Sequence, residues 1–167
     1  MTSIDLYAFF AEHQIAYERF DHPPVYTCAE ATELCPEMPA NSAKTKNLFL
    51  RDKKGERHFL VTVGDDKSVD LKALKKQLGL SKIGFASPER LHRHLGIEPG
   101  SVSILGVLND TEHTVEVIID QAVWQADAVR CHPLVNTSTL VISQHNIRRL
   151  LELTGHEVRV FDVPART

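Results

Sequence analysis

Residues 43–50 pass from a polar start into the apolar run Leu48-Phe49-Leu50, and we interpret this stretch as a β-strand. Leu48 and Leu50 fall on one face of such a strand, and Asn47 and Phe49 fall on the other, because successive side chains point to opposite faces. Lys46 and Asn47 interrupt the apolar pattern where the strand begins. A solvated lysine at a strand end is the ordinary interpretation of Lys46, and a functional role needs support from the rest of the chain.

Short helices and strands are intermixed along the rest of the chain, with capping residues, glycine or proline at their ends. The predicted helices cover residues 4–14, 28–34, 69–78, 88–95 and 144–153. The predicted strands cover residues 16–20, 43–50, 58–63, 83–86, 104–108, 115–119, 139–142 and 158–163, with 115–119 in a central position. Hairpins are too frequent for a doubly wound sheet, so we expect an α+β (mixed α/β) fold: a curved, partly barrel-like mixed sheet flanked by helices.

Length and composition are those of an ordinary globular domain. The 167 residues fit a single domain, 1–167, with 43% hydrophobic and 25% charged residues. No apolar run has the length of a membrane span, and the N-terminus lacks the features of a signal peptide. The three cysteines do not have the spacing of a zinc site or a disulfide framework. We therefore expect a cytoplasmic protein without a membrane partner, a metal or a cofactor.

The charge is unevenly distributed although the net charge is only −3. Residues 41–80 contain ten lysines and arginines and five acidic residues, whereas the remainder is acidic. A basic segment of this kind favours a locally bound polyanion, but it is not the strongly basic balance of a protein that coats DNA. A solvated helix face carrying Lys72, Lys75 and Lys76 explains part of the segment equally well.

Several familiar chemistries are not indicated. The chain has no Gly-rich phosphate loop, no dinucleotide-binding fingerprint and no Gly-x-Ser-x-Gly elbow. His92 and His94 are two residues apart, which places them on different sides of a helix. The remaining polar residues lie in loops that contain proline or glycine: His22-Pro23-Pro24, Lys46-Asn47, Gly100-Ser101-Val102-Ser103 and Cys131-His132-Pro133-Leu134-Val135-Asn136-Thr137.

These loops, with Ala29-Glu30-Ala31 and Thr154-Gly155-His156-Glu157, resemble the motifs of the YbaK/prolyl-tRNA-synthetase-associated domain family. Lys46-Asn47-Leu48-Phe49-Leu50 and residues 131–137 are the most specific of them. The resemblance extends over essentially the whole chain and is greatest to the free-standing PrdX (ProXp-ala) branch of trans-editing deacylases. It implies the fold of that family, mischarged tRNA(Pro) as the substrate, alanine as the amino acid removed, and prolyl-tRNA synthetase as a further partner.

The bond to be broken is an activated ester, so a positioned water and a stabilised oxyanion suffice without a covalent nucleophile. We expect Lys46 to hold the acceptor end or the oxyanion, Asn47 to orient the substrate, and His132 to position substrate or water through its side chain or its backbone. Residues expected to bind the substrate are His22, Gly100, Ser101, Val102, Ser103 and Asn136. A Cys131 thiol nucleophile is disfavoured because neighbours in an extended segment point apart.

One position departs from the family pattern. The pocket loop of the family usually reads Gly-x-x-x-Pro, but here Gly100 is followed four residues later by Ile104. Three alternatives therefore stay open: the same hydrolase acting on serine, cysteine or 2-aminobutyrate; a non-catalytic module that binds tRNA or synthetase; and a sensor of free amino acids. The basic stretch from Lys44 to Lys76 is the expected tRNA-facing surface.

Overall fold

A computed structural model describes residues 2–24 and 36–167 of the chain. Its helices are α1 (Ser3–Glu12), α2 (Leu71–Gln77), α3 (Pro88–Leu95), a 3-10 helix (Ile104–Asn109), α4 (Gln121–Trp124) and α5 (Gln144–Thr154). Its strands are β1 (Glu18–Asp21), β2 (Ser42–Ala43), β3 (Thr45–Asp52), β4 (His58–Gly64), β5 (Ile83–Phe85), β6 (Val115–Asp120), β7 (Ala128–Cys131), β8 (Ser138–Ser143) and β9 (Val158–Phe161). The helix predicted for 28–34 lies outside the described residues.

Helix ends follow local capping chemistry. Ser87 caps α3 through its side chain, Pro88 occupies the first turn, and Gly96 ends the helix in the left-handed conformation with φ of +64°. Ser143 begins α5 in the same way. Thr2 caps α1, because Thr2 and Asp5 form a reciprocal capping box.

The strands form two mixed sheets. The four-stranded sheet has the order β1-β8-β7-β2, and the five-stranded sheet has the order β5-β3-β4-β6-β9. The mixed, helix-flanked architecture confirms the expected fold class, and β6 lies inside its sheet as predicted. The partly barrel-like closure is not found, because the two sheets remain separate and neither one closes on itself.

The chain crosses from one sheet to the other at Lys44. The strand immediately before it, β2, pairs in parallel with β7 of the four-stranded sheet. The strand immediately after it, β3, pairs antiparallel with β4 and β5 of the five-stranded sheet. The Thr45 hydroxyl donates to the Arg130 carbonyl at 2.8 Å and links β3 to β7. The start of β3 is therefore held at the junction between the sheets.

Both faces of the five-stranded sheet are covered. Phe49 and Leu60 belong to the larger core cluster, beneath α3 and the 3-10 helix. Leu50 and Val61 belong to a second cluster that includes Leu74 of α2. Leu48 packs against this second cluster, so the predicted division of β3 into two faces is confirmed. Among the described residues, no helix is both long and apolar enough to cross a bilayer.

The strand predicted for 104–108 is wrong. These residues form the 3-10 helix, and all five are buried. A short, continuously apolar run has no period that separates a strand from a buried helical turn. Ser103 decides the local structure here, since its side chain accepts from the N–H of Leu105.

The Thr154-Gly155-His156-Glu157 motif stabilises the turn before β6. His156 Nε2 lies 2.9 Å from Asp110 Oδ2, and both side chains are buried. Asp110 also accepts from the N–H groups of Thr114 and Val115. Burial works against its charge, but these donors outweigh burial and lower the pKa of Asp110.

Two histidines of the larger core form a pair. The rings of His58 and His94 lie 4.1 Å apart between centroids, and Arg90 Nη1 lies 3.1 Å from His58 Nε2. Burial, followed by the charges of His94, Arg90 and Arg93, lowers the pKa of His58 to about 4, while Asp52 opposes this shift. His58 is therefore neutral in the folded protein at physiological pH.

We predict that His58→Phe reduces the loss of stability between pH 6.5 and pH 4. In the unfolded chain His58 titrates near its ordinary pKa of about 6.5, so in this window the unfolded state alone takes up the proton and stability falls as the pH falls. Between these two pH values, His58 lowers the free energy of unfolding by on the order of 2–3 kcal/mol. Denaturant unfolding at each pH measures it. A wild-type slope in His58→Phe would contradict the assignment.

Candidate active site

Lys46 is the second residue of β3, at the junction between the two sheets. It pairs in register with Val63, and the alternation of the strand places it on the side of Leu48 and Leu50. Its side chain is half-buried and makes no hydrogen bond or ion pair with any residue that the structure describes. The ammonium group is therefore available to a ligand.

Asn47 lies on the other side of β3, with Phe49. Its Nδ2 donates to the Val102 carbonyl at 3.3 Å, and its Oδ1 accepts from the Thr62 hydroxyl at 2.6 Å. Although Lys46 and Asn47 are adjacent in the sequence, their side chains have different surroundings. The amide of Asn47 is engaged with protein groups at both ends.

The loop of residues 100–103 faces Asn47 through its Val102 carbonyl. Gly100 has φ of +91°, a conformation that glycine adopts at little cost. Ser101 is buried, and Ser103 is completely buried with its hydroxyl engaged as the cap of the 3-10 helix. The serine hydroxyls of this loop are therefore placed for structure more than for substrate contact.

Ile104, which stands where the Gly-x-x-x-Pro pattern would have proline, occupies the first position of the 3-10 helix. Proline favours the first helical position because its φ is preset and it needs no N–H partner there. Ile104 is held at this position by other interactions. Ser103 caps the helix, and the isoleucine side chain is buried in the larger core. The end of the loop is thus anchored without the proline.

His132 and His22 lie close together, with ring centroids 6.3 Å apart. His132 Nδ1 lies 3.1 Å from the Ser138 carbonyl, which only accepts, so Nδ1 carries the proton. Burial is the largest cause that lowers the pKa of His132, and the charge of His22 acts in the same direction. The hydrogen bond to Ser138 opposes this shift. At neutral pH the Nε2 atom of His132 therefore presents a lone pair.

The ring of His22 is fully engaged within the protein. Nδ1 lies 2.8 Å from the Pro23 carbonyl, and Nε2 lies 2.8 Å from the Thr139 hydroxyl. The side chain is buried. This arrangement suits a residue that supports the His132 side of the site, and a direct contact with substrate requires one of these bonds to be replaced.

The 131–137 loop contains two further features. The Cys131 thiol is buried, and burial raises its pKa to about 12. Such a thiol is neither ionised nor accessible for attack on an ester. Leu134 has φ of +68°, which is rare for a residue with a branched side chain, and Asn136 is half-buried in the same loop.

In the described structure, the predicted site residues form two groups, and a hydrogen bond between β3 and β7 connects them. Asn47 joins the 100–103 loop, and His22 joins His132. The hydrogen bond from Thr45 to the Arg130 carbonyl connects β3 to the strand that leads into His132. Lys46 is adjacent to Asn47 in the sequence, but its side chain forms no hydrogen bond with the described residues of either group. The catalytic and binding roles assigned to these residues remain predictions.

Sequence reasoning missed the threonines that orient the site. Thr62 holds Asn47, and Thr139 holds His22. Thr62 had a weak signal, since it is a lone hydroxyl within the otherwise apolar run of residues 59–63. Its partner became apparent only from the pairing of Thr62 with Asn47 in the β3–β4 register.

The basic segment is only partly available to a polyanion. Arg57 donates to both carboxylate oxygens of Glu116, and Lys67 donates to Asp120 and Asp162. Lys53 and Lys54 are exposed in the β3–β4 turn, roughly 20–25 Å along the strand from Lys46. Among the described residues, no cluster of His, Cys, Asp or Glu side chains has the composition of a metal site.

Fold and site together describe a two-sheet α/β domain with a neutral histidine, a glycine loop and a lysine that no described residue pairs with. Residues 22–150 match the family model of the aminoacyl-tRNA editing domain. The chain belongs to this family, and it is an aminoacyl-tRNA deacylase.

Similar proteins include the prolyl-tRNA editing protein ProX of Acetoanaerobium sticklandii, which is 36% identical over 91% of this chain and 92% of its own. The prolyl-tRNA synthetase associated domain-containing protein 1 of Danio rerio is 34% identical over 81% of this chain and 73% of its own. A crystal structure of a candidate trans-editing enzyme for prolyl tRNA synthetase superposes with a TM-score of 0.67 at 17% identity and covers 99% of both chains. This last match supports the fold.

We predict that Cys131→Ala retains deacylase turnover within about twofold, because a buried neutral thiol takes no part in ester cleavage. The measurement is single-turnover deacylation under conditions where the variant is shown to be folded by its circular dichroism. A folded Cys131→Ala protein without turnover would restore the thiol-nucleophile mechanism.

Proposed function

We propose that this protein hydrolyses mischarged tRNA(Pro), with alanine as the amino acid it removes. The prolyl-tRNA editing relatives support the tRNA, and the resemblance to the alanine-specific branch supports the amino acid. The observation that carries the proposal is the ammonium group of Lys46 at the sheet junction, which has no hydrogen-bond or ion-pair partner among the described residues. A half-buried cation in this state fits an anionic ligand such as an acceptor-end phosphate or a developing oxyanion.

Water is the attacking group in this proposal. The Cys131 thiol and the Ser101 and Ser103 hydroxyls are buried, so none of the three is presented as a nucleophile. His132 Nε2 has a lone pair that accepts a hydrogen bond from water, directly or through the 2′-OH of the terminal ribose. The water oxygen bonds to the ester carbonyl carbon, and its proton leaves toward this acceptor.

The tetrahedral intermediate then collapses. The bond between the carbonyl carbon and the ribose oxygen breaks, and the ribose oxygen takes up a proton as the tRNA leaves. The products are the free amino acid and deacylated tRNA. Lys46 stabilises either the oxyanion or the neighbouring phosphate, and backbone N–H groups of the 100–103 loop line the acyl pocket.

Size exclusion explains a preference for alanine over proline. A synthetase that binds proline cannot reject a smaller amino acid by more than about 1–3 kcal/mol per missing methylene. A second site that admits only the smaller residue supplies the missing discrimination. The anchored end of the loop at Ile104 favours a pocket of defined size, so this departure from the family pattern does not by itself require a different amino acid.

We predict that wild-type protein deacylates Ala-tRNA(Pro) rapidly, and that Lys46→Ala lowers kcat/KM by about 10²–10³-fold, the effect of removing one oxyanion-stabilising group. The measurement is release of labelled amino acid from tRNA(Pro) charged with alanine, proline, serine, cysteine or 2-aminobutyrate. Lys82→Ala is the matched control, because Lys82 is an exposed lysine outside the basic stretch.

A preference for serine, cysteine or 2-aminobutyrate would support the proposed hydrolysis but would contradict alanine as the amino acid that is removed. Absence of turnover on every substrate by folded protein would instead indicate a binding module. Normal turnover by Lys46→Ala would remove Lys46 from the mechanism.

We predict that deacylation slows as the pH falls through the pKa of His132, which burial lowers from the ordinary imidazole value. Protonation of Nε2 removes the lone pair that accepts from water, so activity is present above this pKa and lost below it. His132→Gln should lower the rate by about 10²–10⁴-fold and abolish this acid limb. Rates are measured from pH 4.5 to 8 after subtraction of uncatalysed ester hydrolysis. An unchanged rate in His132→Gln would leave His132 with a backbone role only.

A further inference from the structure

The amide of Asn47 is oriented by its surroundings. The Val102 carbonyl can only accept a hydrogen bond, so the group that faces it must be Nδ2. Oδ1 then points the opposite way, where it accepts from the Thr62 hydroxyl at 2.6 Å. Thr62 is 1% exposed and pairs in register with Asn47 on the neighbouring strand. Thr62, Asn47 and Val102 thus form one chain of hydrogen bonds from β4 across β3 to the loop.

This chain controls one peptide plane of the loop. The carbonyl of Val102 and the N–H of Ser103 belong to the same trans peptide and point in opposite directions. The hydrogen bond that directs the Val102 carbonyl toward Asn47 therefore also directs the N–H of Ser103 away from β3. Without Thr62 the amide of Asn47 is free to rotate, and the peptide loses its orientation.

The side chain of Val102 packs against the larger core, and other hydrogen bonds hold the two ends of the loop. Ser101 N–H donates to the Glu98 carbonyl on one side, and the Ser103 cap anchors the other side. Gly100 adds backbone freedom. Within the part of the chain that the structure describes, the hydrogen bond from Asn47 to the Val102 carbonyl ties the middle of the loop to the sheet, and it spans 55 residues of sequence.

We propose that Thr62 is a positioning residue: through the Asn47 amide it fixes the Gly100–Ser103 loop against β3 and so determines the size of amino acid that the site accepts. Asn47 then acts on the pocket rather than on the reacting atoms. The consequence for specificity rests on the proposed function, whereas the consequence for loop order does not.

The first test compares Thr62→Val with Thr62→Ser. Valine has nearly the same shape without the hydroxyl, and serine keeps the hydroxyl. We expect Thr62→Val to reduce the kcat/KM ratio of Ala-tRNA(Pro) over Pro-tRNA(Pro) by roughly tenfold or more, and Thr62→Ser to restore most of it. Thr114→Val is the matched control, since it removes a hydroxyl bond of 2.7 Å to Asp110 away from the site. A general loss of stability lowers rates without changing this ratio.

The second test is independent of turnover. Amide hydrogen exchange of residues 98–105 should accelerate several-fold in Thr62→Val and remain at the wild-type rate in Thr62→Ser and Thr114→Val. Unchanged exchange in Thr62→Val overturns the proposal even if the protein deacylates nothing. Faster exchange with an unchanged substrate ratio overturns the specificity role. Faster exchange in a protein without any deacylase activity would instead reject the proposed function and keep the positioning contact.

Discussion

The passage of one extended segment between two sheets is the constraint on which the site depends. Ser42 and Ala43 pair with the four-stranded sheet, and Thr45 begins the pairing with the five-stranded sheet. A segment that is hydrogen-bonded on both sides of a single linking residue has little freedom. The backbone of Lys46 and Asn47 is therefore fixed by ladder bonds, although their side chains lie at the end of a strand.

Hydroxyl and carbonyl groups, rather than charges, orient the polar residues around this junction. Thr62 orients Asn47, Thr139 and Pro23 orient His22, and Ser138 orients His132. Neutral hydrogen bonds define amide and imidazole orientation without placing a counter-charge beside the lysine. Lys46 is left as a cation without a protein partner in the described structure, which suits a site for an anionic ligand.

Features set by neighbours in sequence were predictable. The cap, proline and glycine of α3 are all within ten residues of one another, and the alternation of β3 assigned Leu48 and Phe49 to the correct faces. The strand prediction for residues 104–108 was wrong because a short apolar run is compatible with two local structures, and the Ser103 cap favours the 3-10 helix. The loop that contains Gly100 was recognisable, but the function of Ser103 as a cap was not.

The amino-acid sequence determined the family, the deacylase chemistry and the positions of the polar loops, because these depend on residue types and short spacings. Only the tertiary structure decided which loops meet. It joined Asn47 to Val102 and to Thr62, placed Lys46 and Asn47 on opposite sides of β3, and buried Cys131 while leaving the imidazole of its neighbour with a lone pair. These outcomes depend on strand register and sheet pairing, which bring together residues far apart in the sequence, such as His22 and Thr139 at a separation of 117 positions, and no local pattern encodes them.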